Sequence, residues 1–168
     1  YHTQFPRYLK SYTGIPESFT FAAIRRFHAA SEKVLVPSQS VSEELIRQGI
    51  QHTWVWTRGV DHDQFYPGES SVFRDLPGPI MIYCGRVARE KNIEAFLRSD
   101  HRGTKVVIGD GPAFASLRQH FPNVVWTGFK RGKELADCYR AGDIFVFPSK
   151  TDTFGVVMLE AMACGLPV

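Results

Sequence analysis

One carboxylate stands alone in the most apolar helical stretch of this sequence. The run Gly155-Val156-Val157-Met158-Leu159-Glu160-Ala161-Met162-Ala163 predicts a helix that is hydrophobic nearly all round and therefore belongs in an interior. An ionised group buried without partners is expensive, so Glu160 must face a polar cleft or be paired. At helical spacing it lies one turn beyond Val156 and Val157, just above the free amides of the helix start, where an anion can sit. Amides for a diphosphate and an acceptor for sugar hydroxyls would then stand side by side. A Glu reaching the surface along its own stem, or bonded to a core arginine, is the other physical reading.

Two further loops carry chemistry. Gly85-Arg86-Val87-Ala88-Arg89-Glu90-Lys91 puts two or three cations on a strand-to-helix turn. A guanidinium fork, an ammonium and the positive end of the following helix would suit a phosphate or diphosphate; an exposed charged turn neutralised by Glu90 fits equally well. Gly109-Asp110-Gly111-Pro112 has the first two glycines of a dinucleotide fingerprint, but Phe114 occupies the third position, which disfavours a nicotinamide enzyme. The glycines admit either the close approach of a ligand or a tight turn with Pro112 opening the next helix. Asp61-His62-Asp63 has the look of a metal motif without a third ligand nearby, and the six histidines lack metal-binding spacing. No G-x-S-x-G or P-loop occurs, so a serine hydrolase or kinase is unsupported.

The elements that must position these residues follow from periodicity. Helices are predicted at Gln4 to Tyr12 and Pro16 to Ala30, then a strand at Lys33 to Val36. A helix opened by the Ser40/Glu43 capping box and closed at Gly49 follows, then a strand at Thr53 to Thr57. Arg58 to Gly78 loses all period to glycine, proline and serine and reads as a linker. Beyond it, strands at Ile80 to Cys84, Lys105 to Ile108, Val124 to Thr127 and Ile144 to Phe147 alternate with helices at Asn92 to Arg98, Pro112 to His120, Lys133 to Arg140 and Gly155 to Ala163. A last apolar segment covers Leu166 to Val168. Such alternation implies an α/β fold with a parallel sheet covered on both faces. Ligands in that architecture bind outside the carboxyl ends of the strands, where the loops described above fall.

Composition narrows the class. The 168 residues are 43% hydrophobic and 22% charged, with a net charge of +3. No apolar run approaches the ~20 residues of a membrane-crossing helix, and the scattered basic residues give no electrostatic grip on nucleic acid. Cys84, Cys138 and Cys164 match no CxxC or zinc spacing, each sits in an apolar stretch, and they read as buried thiols of a reducing compartment. The helix from Ser18 to Ala30, with Arg25 and Arg26 against Phe19, Phe21, Ala22 and Phe27, reads as a core-facing amphipathic helix rather than a membrane-surface one. Opening at Tyr1 and stopping as an apolar strand is about to begin, the chain is expected to be an internal fragment, poorly active on its own.

Taken in order, these motifs resemble the retaining glycosyltransferases of family 4. The match runs from Tyr1-His2-Thr3 through Arg58-Gly59-Val60-Asp61 with Phe65 and Pro67, then Gly85-Arg86 with Lys91, Gly109-Asp110-Gly111-Pro112 and Gly142 to Ser149. It ends with Phe154-Gly155 through Glu160 to Gly165. The resemblance implies a GT-B fold. Residues 1–60 would be the end of a Rossmann-like acceptor-side domain, 61–78 an interdomain linker, and 79–168 a nucleotide-sugar donor domain truncated at its C-terminal end.

It also implies roles. Arg86 and Lys91 would clamp the donor diphosphate, completed by amides of Phe154, Gly155, Val156 and Val157, while Glu160 would accept from the nucleotide ribose. Gly109, Gly111, Phe129 and Lys130 would flank the nucleotide. Asp152 stands where the family's first motif acid contacts the transferred sugar, one methylene shorter than the usual Glu. His2 would orient the sugar. The scheme requires no metal and no cofactor beyond a GDP- or UDP-linked sugar. Within the family, Arg58-Gly59-Val60-Asp61 and Asp152-Thr153-Phe154-Gly155 most resemble GDP-mannose-dependent α-mannosyltransferases and sulfoquinovosyl-type lipid glycosyltransferases, with lipid or saccharide acceptors. A cytoplasmic protein in peripheral contact with the inner membrane face is compatible with that. A GT-B sugar-nucleotide 2-epimerase and a non-catalytic nucleotide-binding module are the rival readings.

Overall fold

The computed structural model describes residues 1–168. The chain forms two compact units, one of residues 1–58 with 151–155, the other of residues 59–150 with 156–168.

The first unit begins with helices α1 (Phe5–Thr13) and α2 (Glu17–His28), followed by strand β1 (Val34–Val36), helix α3 (Gln39–Arg47) and strand β2 (Thr53–Val55). β1 and β2 pair in parallel, Val34 opposite Thr53 and Val36 opposite Val55, with α3 as the crossover. Val34 and Val36 point inward with Val41 and Leu45 of α3, Ile50 and Phe21, forming a small core. The cap of α3 is Ser38 rather than Ser40: Ser38 has extended backbone and its Oγ accepts from the Val41 amide at 3.4 Å, whereas Ser40 is already inside the helix. α2 is amphipathic only in part. Phe21 is buried, but Phe19 and Phe27 are 70% and 79% exposed, so its aromatic residues do not share a core-facing side.

The second unit contains β3 (Ile80–Cys84), α4 (Ile93–Arg98), β4 (Thr104–Ile108), α5 (Phe114–His120), β5 (Val125–Gly128), α6 (Gly132–Arg140), β6 (Ile144–Phe145) and α7 (Val156–Ala163). Its four strands are parallel in the order β5-β4-β3-β6. β3 is the first strand yet lies inside the sheet, so the winding reverses between β3 and β6, which is where a doubly wound sheet opens a crevice. All five residues of β3 are buried, as a strand covered on both faces requires. Ile80, Ile82 and Cys84 join Val106 and Ile108 in a core with Tyr139 of α6 and Ala161 of α7. Met81, Tyr83 and Val107 point the opposite way, onto Phe96 and Leu97 of α4 and Leu117 of α5. The segment after residue 60 takes part in this packing, because Phe65 and Phe73 belong to the first of those cores.

Several boundaries differ from the sequence pattern for local reasons. α5 starts at Phe114, not Pro112. α4 does not run on from the charged turn: Arg89–Lys91 form a 3-10 turn, and Asn92 takes a left-handed conformation with its Nδ2 donating to the Pro148 carbonyl at 3.1 Å. Leu166 to Val168 form no strand, although the Pro167 carbonyl accepts from the Phe145 amide at 2.7 Å. α7, expected to be buried all round, has only Ala161 buried and Met162 exposed.

Candidate functional site

At the carboxyl ends of the sheet in the second unit lies a cavity of about 420 Å³. The loops after β3, β4 and β5 contribute to its wall. Cys84, Gly85 and Arg86 come from the end of β3, Ile108, Gly109 and Asp110 from β4, and Phe129, Lys130, Arg131 and Gly132 from β5. α7 supplies Val157 and Glu160, and the segment preceding β3 adds Gln64 and Phe65.

The floor is made by two interlocked loops. Past the end of the strands the backbone ladder continues: the Gly85 amide donates to Ile108, the Val87 amide to Asp110 and the Ala113 amide to Val87. Gly109 sits at φ +136°, and a Cβ there would run into the carbonyl oxygen of Gly85. A Cβ on Gly111 would likewise collide with the Val87 carbonyl. The glycines are thus required by the approach of one loop to the other, a role distinct from admitting a ligand or closing a tight turn. Phe114, at the third fingerprint position, packs edge-on to Trp126 with ring centroids 5.4 Å apart.

The rim carries charge of both signs. Arg86 is 62% exposed and only loosely held, its guanidinium 3.7 Å from Glu90, which is itself buried. Lys130 pairs with Glu134 at 3.2 Å, and the Arg131 guanidinium lies 4.8 Å over the ring of exposed Phe129. Asp110 turns its carboxylate onto its own loop, accepting from the Gly111 amide at 2.7 Å. Three cations therefore line a wall whose two acids are Asp110, held by that amide, and Glu160.

Glu160 lies half-buried on this wall, and the Tyr139 hydroxyl donates to its Oε2 at 3.0 Å. Burial raises the carboxyl pKa above its ordinary value, and the Tyr139 hydrogen bond opposes that shift. Tyr139 is fully buried, which holds its hydroxyl in the protonated, donating form. The buried Cys84 thiol, pushed up to about 12 by burial, is an electrostatic neighbour of the same hydroxyl.

Of the residues singled out by sequence, Arg86, Gly109, Phe129, Lys130, Val157 and Glu160 line one cavity. Lys91 lies outside its lining, at the end of the 3-10 turn, and Gly111 supports the floor from behind. His2, Asp152, Phe154 and Gly155 belong to the first unit, where the Thr153 hydroxyl donates to the His2 carbonyl at 2.9 Å. Val156 opens α7 in the second unit. Asp61 acts as a turn former: its Oδ1 accepts from the Asp63 amide at 3.0 Å. All three cysteines are free and buried. Arg131 is not among the residues singled out by sequence, although its place beside Phe129 and Lys130, between Gly128 and Gly132, is the signal that points to it; Gln64 and Tyr139 gave no local signal.

A doubly wound parallel sheet opens a crevice at its switch point, and the chain that builds it belongs to the family described as Glycosyl transferases group 1, matched over residues 78–168. Residues 1–64 match Glycosyltransferase Family 4. The fold is of GT-B type: sucrose-phosphate synthase from Thermosynechococcus elongatus aligns over 100% of this chain and 48% of its own, with a TM-score of 0.82 at 26% identity. A GDP-mannose-dependent alpha-mannosyltransferase of Mycobacterium tuberculosis is 37% identical over all of this chain and 47% of its own length. A sulfoquinovosyl transferase of Arabidopsis thaliana is 35% identical over all of this chain and 36% of its own. The chain thus spans about half or less of the curated relatives it matches. No helix is long and apolar enough to cross a membrane.

Proposed function

We propose that the chain is the nucleotide-sugar-binding part of a retaining glycosyltransferase that moves a hexosyl group, mannose, from a nucleoside-diphosphate sugar to a lipid or saccharide acceptor. The observation that carries this reading is the convergence of Arg86, Lys130 and Glu160 on one cavity at the switch point of the sheet. In this scheme Arg86 and Lys130 face the diphosphate, with Lys91 adding charge from the turn behind, and Glu160 accepts from the ribose hydroxyls. Phe129 and Arg131 flank the base.

The chemistry follows from charge. The bond between the sugar's anomeric carbon and the phosphate oxygen breaks, and the diphosphate gains negative charge as it leaves. Cations and helix-start amides aimed at that charge stabilise the transition state more than the ground state. The acceptor oxygen bonds the anomeric carbon on the same face, and its proton passes to the departing phosphate. Asp152 and His2 keep the roles implied by family resemblance, contact with the transferred sugar and its orientation. Mannose is favoured by the similarity to the mycobacterial mannosyltransferase. The similarity to a sulfoquinovosyl transferase supports a second reading, a UDP-linked donor and a lipid acceptor.

Calorimetric titration of the full-length protein with GDP, UDP and ADP tests the proposal. One nucleoside diphosphate should bind in the micromolar range, and Glu160→Ala should weaken it about tenfold or more, as loss of a charged acceptor does. GDP preference followed by transfer from GDP-mannose supports the first reading and UDP preference the second. Absence of binding by all three overturns both.

A further inference from the structure

Resting on that donor-site reading, we propose that Tyr139 is a positioning residue for nucleotide binding, holding the Glu160 carboxylate at the angle from which it receives the ribose. Tyr139 lies behind the cavity wall, on α6, fully buried and outside the lining. Its ring is fixed by neighbours on two sides, Phe65 with centroids 5.9 Å away and Phe145 at 5.8 Å. Such a ring has no freedom to follow a moving partner. Its hydroxyl reaches Oε2 of Glu160 across 21 residues of sequence at 3.0 Å.

The direction of the bond matters. A phenol deep in the core stays protonated and is therefore a donor to Glu160. The buried Cys84 thiol is a further electrostatic neighbour of the same hydroxyl. Because Oε2 is occupied from inside, the remaining carboxylate oxygen keeps its capacity for a ligand. A carboxylate left unanchored on a helix with an exposed flank would instead sample several rotamers, and ordering it on binding would cost affinity. The same bond favours the ionised form that burial disfavours, so it also keeps the acceptor charged. The titratable and charged groups around Glu160 are Tyr139 on α6, Cys84 on β3, Cys164 just past the end of its own helix, and Arg86, Asp110, Lys130 and Arg131 from the loops sharing its cavity.

The test is a double-mutant cycle in the full-length protein, with GDP and UDP as probes. Tyr139→Phe removes one oxygen and keeps the ring. It should weaken the nucleoside diphosphate that binds wild type about five- to tenfold, with the loss growing as pH is lowered, because without the bond nothing offsets the burial that favours the protonated carboxyl. In a Glu160→Ala background the same substitution should change nothing further. Equal losses in both backgrounds, or a pH-independent loss, would show a merely structural tyrosine and overturn the proposal. Glu160→Asp offers a check that leaves the core intact: one methylene shorter, it leaves the tyrosine's reach and should bind as weakly as Glu160→Ala, whereas wild-type affinity in Glu160→Asp would also overturn it. If wild type binds neither probe, the donor-site reading itself has failed, an outcome distinct from normal binding by Tyr139→Phe.

Discussion

The two parallel sheets of this chain are built from similar residues and are buried very differently. In the second unit β3 runs Ile80-Met81-Ile82-Tyr83-Cys84 with every side chain buried, its odd and even residues feeding separate cores. In the first unit Val34 and Val36 are buried, while Leu35 and Trp54, just as apolar, stand 43% and 56% exposed. A continuous hydrophobic run therefore signals a doubly covered strand only when helices exist on both sides to cover it. The difference matters for function, because the cavity is built on the sheet whose two faces are both covered.

The contrast predicts where substitutions should hurt. The largest effect is expected at the loops the covered sheet supports. Gly109→Ala would drive a methyl into the Gly85 carbonyl at a backbone angle that other residues resist. It should destabilise by about 4 kcal/mol and abolish nucleotide binding, both readable from urea unfolding and titration. A loss below about 1 kcal/mol would mean that the loops can separate. Next in size is Ile82→Ala, which empties a fully buried site at the centre of the covered sheet and should cost about 3 kcal/mol. Its counterpart Leu35→Ala, on the exposed side of β1, should cost less than about 0.5 kcal/mol. Comparable losses for the two would erase the distinction between the sheets.

The smallest expected effect is a gain. Burial raises the Glu160 pKa, so the folded chain holds that proton more tightly than the unfolded chain does. The stability this confers is full below the ordinary carboxylate pKa and is lost as pH rises through the raised value. Glu160→Gln never ionises and escapes that loss. Without nucleotide it should melt with wild type in mild acid and about 1–3 °C above it at neutral pH, while binding nucleotide more weakly. A wild-type protein that melts higher at neutral pH would mean that the carboxylate is fully compensated by its surroundings.

What sequence made legible follows the range of the forces involved. β3 ends where its pattern predicts, because five consecutive apolar residues admit little else. Glu160 could be singled out because a lone acid in an apolar helix demands a reason. The Ser40/Glu43 pattern points to Ser40 where the structure has Ser38 as the cap, because both serines precede the same apolar stripe and only backbone dihedrals separate them. The exposed flank of α7 could not be foreseen, since composition reports what a helix can bury and not what is there to bury it. Tyr139 was invisible for a related reason: Phe65, Phe145, Cys84 and Glu160 approach it from distant parts of the chain, and no window on the sequence contains them together.

The interlocking of the loops at Gly85 and Gly109 has a consequence for how such a protein can diversify. Main chain pressed against main chain leaves no room for new side chains there, so the base of the cleft is fixed in shape. Phe129, Lys130 and Arg131 sit on a loop without that constraint, and exchanging them would alter the cleft's lining while the scaffold stays intact. Under the proposed donor-site reading, changes of donor preference are expected to accumulate along 129–131 while the glycines beneath remain what they are.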